Sequence, residues 1–87
     1  MKHKIAFTMM ELMIQKKRNT IWYGDIELIE ECARLNCIEF LHPQKTIKRI
    51  LDSLENSPYF IKGYIIADFN GVKRRYRCFE LKKTGED

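Results

Sequence analysis

No stretch of this 87-residue chain is apolar for long enough to form a signal-peptide core or a membrane span. It has no Gly-rich phosphate loop and no strand-turn-helix nucleophile elbow, which removes two common signatures of nucleotide and acyl chemistry. No histidine is placed to serve a cysteine nucleophile. The adjacent Glu30 and Glu31 point to different sides of a helix, which disfavours a paired-carboxylate site. Repeats, low-complexity tracts and Pro/Ser-rich linkers are also missing, so residues 1–87 read as one domain. These absences together predict a protein that is not an enzyme.

The cysteines are three, an odd number, which points to reduced thiols and a cytoplasmic setting. Cys32, Cys37 and His42 have a C-x4-C-x4-H spacing, with Cys78 as a conceivable fourth ligand. Zinc needs four converging ligands, and this spacing matches no compact zinc knuckle. Cys32 also belongs to an apolar helical stripe, so buried free thiols are expected and no metal or cofactor.

What is present is charge with a pattern. Lys and Arg number 16 against 12 Asp and Glu, a net charge of +4. From Gly71 to Lys83 there are six cations (Lys73, Arg74, Arg75, Arg77, Lys82, Lys83) and one acid, Glu80. Residues 25–31 run the other way, with Asp25, Glu27, Glu30 and Glu31. A molecule with a positive end and a negative side follows, and the positive end suits a polyanion. With 45% hydrophobic and 32% charged residues, the chain has the composition of a folded domain.

Ile5, Met9, Leu12 and Met13 recur at helical spacing, followed by Lys16, Lys17 and Arg18, cations that suit a helix C-terminus. Thr8 and Glu11 offer a capping box that would move the helix start later, and Asn19 a terminator. Thr20 to Tyr23 read as a very short strand that Gly24 breaks. Asp25 is a good N-cap for a second helix, 26–35, with an apolar stripe of Ile26, Ile29, Cys32 and Ala33, closed by Asn36.

Cys37 to Leu41 form an apolar connector. Pro43 then opens a third helix whose Ile47, Ile50, Leu51 and Leu54 follow the i, i+3, i+4, i+7 rule. Its opposite face carries Gln44, Lys45, Lys48, Arg49 and Asp52, and Asn56, Ser57 and Pro58 stop it. Asn70-Gly71 predicts a type I′ hairpin pairing Phe69 with Val72 and, further down, Gly63 with Cys78. One hairpin face (Gly63, Ile65, Ala67, Phe69, Val72, Arg74, Tyr76, Cys78) is mainly apolar and is expected to pack on helices. The other (Lys62, Tyr64, Ile66, Asp68, Lys73, Arg75, Arg77, Phe79) is cationic with aromatic and aliphatic members and is expected to face solvent or a ligand. Trp22 and Tyr23 are expected to be core, Trp22 under the wing, rather than a stacking platform. Met1–Lys4 and Thr84–Asp87 read as short mobile ends.

This order of elements resembles the winged helix-turn-helix family, an α+β fold of three helices, a short strand and a C-terminal β-hairpin wing. The likeness spans about residues 5–82, and the segment from Thr46 to Leu54 is similar to the recognition helix of prokaryotic regulators. The link over 36–42 is longer than in a tight helix-turn-helix, which implies an unusual setting of the third helix or a separate role for Cys37–Leu41. The resemblance implies a double-stranded DNA partner, with helix 43–56 in the major groove and hairpin 60–81 as a basic wing. The role implied is a transcriptional regulator or a phage or plasmid replication or recombination accessory. Gln44, Lys45, Lys48 and Arg49 are then the groove residues, Arg49 the guanine contact, and Thr46 a phosphate contact near the helix N-terminus. Lys73, Arg74 and Arg75, with Arg77 and Lys62, are the wing's phosphate contacts. The alternative is an adaptor or inhibitor winged helix that binds a protein partner, through its acidic second helix and an exposed patch of Ile38, Phe40 and Leu41. Spare apolar residues on the first helix (Phe7, Met10, Ile14) suggest a homodimer. No membrane partner is expected.

Overall fold

The computed structural model describes residues 2–82. Its elements run α1 (Lys4–Gln15), β1 (Thr20–Trp22), α2 (Ile26–Leu35), α3 (Pro43–Glu55), β2 (Phe60–Phe69) and β3 (Val72–Leu81). The strands form one antiparallel sheet in the order β1-β3-β2. The described residues thus make a small α+β fold of three helices and a three-stranded antiparallel sheet, compatible with a winged-helix layout. None of its helices is long and apolar enough to cross a membrane.

A single core joins the helices to the root of the sheet. It contains Ala6, Met9, Leu12 and Met13 of α1, Leu28, Ile29, Cys32 and Ala33 of α2, and Ile47, Ile50, Leu51 and Leu54 of α3, with Ile21, Phe60 and Phe79 from the sheet. The α3 stripe is the one read from its spacing. In α2 the stripe is shifted, because Leu28 is buried while Ile26, at the helix entrance, is exposed. Cys32 is fully buried and its thiol donates to the Ile5 carbonyl at 3.5 Å. Burial pushes that thiol up to about 12, against the opposing pull of a hydrogen bond from Asn36.

Helix ends depart from expectation in instructive ways. Thr8 caps nothing: α1 already starts at Lys4, and the Thr8 hydroxyl donates to the Lys4 carbonyl within the helix. The earlier start gains the burial of Ala6, and it takes Lys4 out of the expected mobile end. The end at 84–87 lies outside the described residues. The α1 terminator is Lys17, not Asn19. Lys17 sits at φ 56°, with its N–H bonded to Ile14 and the Arg18 N–H to Met13, a Schellman motif. At the end of α2 the same motif recurs on Cys37 (φ 58°), with bonds from Cys37 to Arg34 and from Ile38 to Ala33. Asp25 precedes α2 but makes no side-chain cap. Its carboxylate instead accepts from the Trp22 N–H at 3.0 Å and from Arg18 at 2.9 Å, bracing the turn that leaves β1.

The connector's apolar residues are split. Ile38 and Phe40 lie partly buried against the core, while Leu41, 72% exposed, projects outward with Cys37 and Glu39. On α1, Met10 also packs on the core and Phe7 makes an edge contact with Tyr59, so only Ile14 of the expected spare apolar residues is openly exposed.

The hairpin turns at Asn70 (φ 58°) and Gly71 (φ 79°), and the register runs from Phe69↔Val72 to Phe60↔Leu81 as the turn dictates. The two faces are the reverse of the expectation. Phe79 pairs with Ile21 and Lys62, and the alternation places Phe60, Phe79 and Arg77 on the helix side. Trp22, Tyr76 and Cys78 occupy the far side, where Trp22 meets Tyr76 edge to face at 5.4 Å. Trp22 is therefore half-buried on the outside of the sheet, not under it. The reason lies in where the helices reach. They touch only the sheet's root, where burying Phe79 alone is worth about 3 kcal/mol, and that outweighs the half-buried Ile65 and Ala67 farther out.

Candidate nucleic-acid interface

Because the core stripe of α3 faces inward, Gln44, Lys45, Lys48 and Arg49 stand on its exposed side. The reversed hairpin brings a second set of charges beside them. Arg77 leaves β3 on the helix side, and its Nη1 donates to Asp52 at 2.7 Å and to Glu55 at 2.8 Å. Lys62 donates to the other oxygen of Glu55 at 2.8 Å, and Lys48 to the other oxygen of Asp52 at 3.0 Å. Three cations and two carboxylates thus form one network that ties the hairpin to α3.

The titration of these groups follows from the network. Burial pushes the Asp52 carboxyl up, but hydrogen bonds from Arg77 and Lys48 outweigh it and hold it below its ordinary value. Lys62 first, and then Arg77, lower Glu55. Lys62 is raised by Glu55 and then Tyr64. For Arg77, partial burial disfavours the charge, and the bonds from Glu55 and Asp52 more than restore it. The carboxylates of α3 are neutralised internally, so its outward charge is positive.

Between α3 and the hairpin lies an open cleft of about 630 Å³. Gln44 and Lys48 line one wall and Arg75, Arg77 and Tyr64 the other, while Arg74 and Tyr76, on the far face of β3, border it with Tyr23. Arg75 lies over the Tyr64 ring at 4.4 Å and Lys62 approaches it at 5.3 Å, which keeps the half-exposed ring between two cations. Lys73, Arg74 and Arg75 are exposed, and among the described residues they make no ion pair, as is also true of Lys45 and Arg49.

The expected site residues therefore divide. Gln44, Lys48, Arg74 and Arg75 are exposed along the cleft, Lys45 and Arg49 are exposed on α3 away from it, and Lys73 is exposed near the hairpin turn. Lys62 and Arg77 are engaged by α3 and hold the wing in place. Thr46 is a correction: it is 7% exposed, and its hydroxyl donates to the Glu39 carbonyl at 3.3 Å, closing the connector instead of meeting a phosphate. Sequence reasoning missed the anchoring role of Asp52 and Glu55. They lie on the hairpin side of α3, a position visible only once the hairpin face is known. It also passed over Lys2, His3 and Lys4 at the start of α1, which border a second cleft with Lys45 and Arg49.

Among the described residues, no three His, Cys, Asp or Glu side chains converge in a way that could hold a metal ion. Comparison of the chain with protein-family models, with curated proteins and with solved structures gives no match.

Proposed function

We propose that this chain is a winged-helix protein that binds double-stranded DNA without catalysis, as a regulator or a replication or recombination accessory. The observation that carries the reading is the juxtaposition of exposed cations from two elements across one open cleft. Lys48 stands on the α3 wall and Arg75 on the hairpin wall, with Arg74 bordering the cleft from the far face of β3. Edge protection of a strand needs a few scattered charges; it does not need a second cationic wall facing it. In this reading Arg49, Lys45, Lys48 and Gln44 meet base edges and Lys73, Arg74 and Arg75 meet phosphates. The rival protein-binding reading loses its apolar patch, since Ile38 and Phe40 pack inward and leave Leu41 alone.

The test is anisotropy titration onto random duplex and single-stranded DNA across a salt series. Duplex binding with a log K against log salt slope of about −3 to −6 is expected. Arg49→Ala should weaken a selected site more than random duplex, whereas Arg74→Ala with Arg75→Ala should weaken both alike. No duplex binding at low salt would overturn the proposal.

A further inference from the structure

A second cleft, of about 910 Å³, lies on the other side of α3 from the hairpin. Lys2, His3 and Lys4 border it at the start of α1, and Lys45, Lys48 and Arg49 border it from α3. Its only acid among the lining residues is Asp52, already held by Arg77 and Lys48. Carbonyl and amide groups of Asn36 and Asn56 and the hydroxyl of Ser53 supply the remaining polarity.

This arrangement is costly for a protein on its own. The first turn of α1 carries no acid and no side-chain cap, yet its positive dipole end holds lysines, against the usual preference for anions there. Those lysines face a second set of cations on α3 across the cleft, and among the described residues no ion pair relieves Lys2, Lys4, Lys45 or Arg49. Local choices that work against stability in this way concentrate where a ligand of opposite charge is received. An anion here would meet cations from two elements.

The geometry of a duplex says which anion. An α-helix about 10–12 Å across fills a major groove about 12 Å wide, so a helix seated there has a phosphate strand along each of its flanks. The hairpin supplies cations for one flank only. We infer that Lys2, His3 and Lys4, across the cleft from Lys45 and Arg49, bind the phosphodiester backbone on the opposite flank, so that α3 is gripped from both banks of the groove. The inference rests on the proposed seating of α3.

The test compares wild type with Lys2→Ala/Lys4→Ala on the same duplex. Loss of two phosphate contacts should make the salt slope shallower by about 2 and weaken binding about tenfold at moderate salt, with single-stranded binding as reference. Lys2→Gln/Lys4→Gln serves as a second pair should the alanines disturb α1, with helicity checked by circular dichroism. In the wild type, Lys2 and Lys4 should be protected from acetylation by bound duplex, while Lys16 and Lys17 at the far end of α1 stay reactive. Wild-type binding with unchanged slope in either variant, or with Lys2 and Lys4 unprotected, overturns this inference and leaves the hairpin-side reading standing. Absence of duplex binding by the wild type overturns both.

Discussion

Arg77 on β3 and Asp52 on α3 meet at 2.7 Å, and the same guanidinium nitrogen reaches Glu55 at 2.8 Å, so one side chain sets the angle between helix and hairpin. Exposed pairs contribute little singly, but this one is shared, only 23% exposed at the arginine, and bridges elements 22 to 25 residues apart. Arg77→Met should lower Tm by roughly 5 °C at pH 7, measured by thermal melting.

The same contact predicts a pH dependence. Asp52 and Glu55 have folded-state values below their ordinary ones, so their stabilisation is complete above the unfolded values, near about pH 4. It is lost as pH falls through the lower, folded values. The Tm difference between wild type and Arg77→Met should therefore be constant from pH 5 to 7 and shrink below about pH 4. A difference that grows in acid would contradict the assignment.

Thr46→Val should leave duplex affinity within about twofold, because the hydroxyl serves the Glu39 carbonyl and not a phosphate. It should cost about 1 kcal/mol of stability by leaving that carbonyl without its donor. Thr46→Ser should recover most of the loss. Urea titration and anisotropy on the same samples separate the two effects, and a large affinity loss without a stability loss would restore the phosphate contact.

Cys37→Gly should stabilise the protein by about 0.5–1 kcal/mol, since its φ of 58° suits glycine and strains any other side chain. The mutant would retain both Schellman hydrogen bonds, which run through backbone atoms. A higher midpoint in urea with unchanged slope is the expected result.

Much of the architecture was legible in local pattern. The α3 stripe, the Asn70-Gly71 turn and the hairpin register follow from spacing alone, because helix periodicity and turn chemistry act over a few residues. Which hairpin face turns inward did not follow. That choice belongs to the reach of the helices, and the burial of Phe60 and Phe79 at the sheet's root decides it against the apolar majority farther out. The misplacement of Thr46 has a similar origin: its position near a helix start suggested an anion, while the folded connector brought it a carbonyl. The roles of Lys62 and Arg77 were mixed for the same reason. Their charge was evident in sequence, but their partners sit 7 to 25 residues away on another element.

The paired strands of the hairpin, ten residues each, extend about 33 Å from a root fixed by Phe60, Phe79 and Arg77. Mechanically it is a cantilever, clamped at one end and loaded with cations toward the other. Such a beam works as a caliper, because the clamp sets the span between Arg49 on α3 and Lys73 near the tip before any ligand arrives. Under the proposed duplex binding, loosening the clamp would blur the length of duplex spanned, even where every contacting side chain is intact.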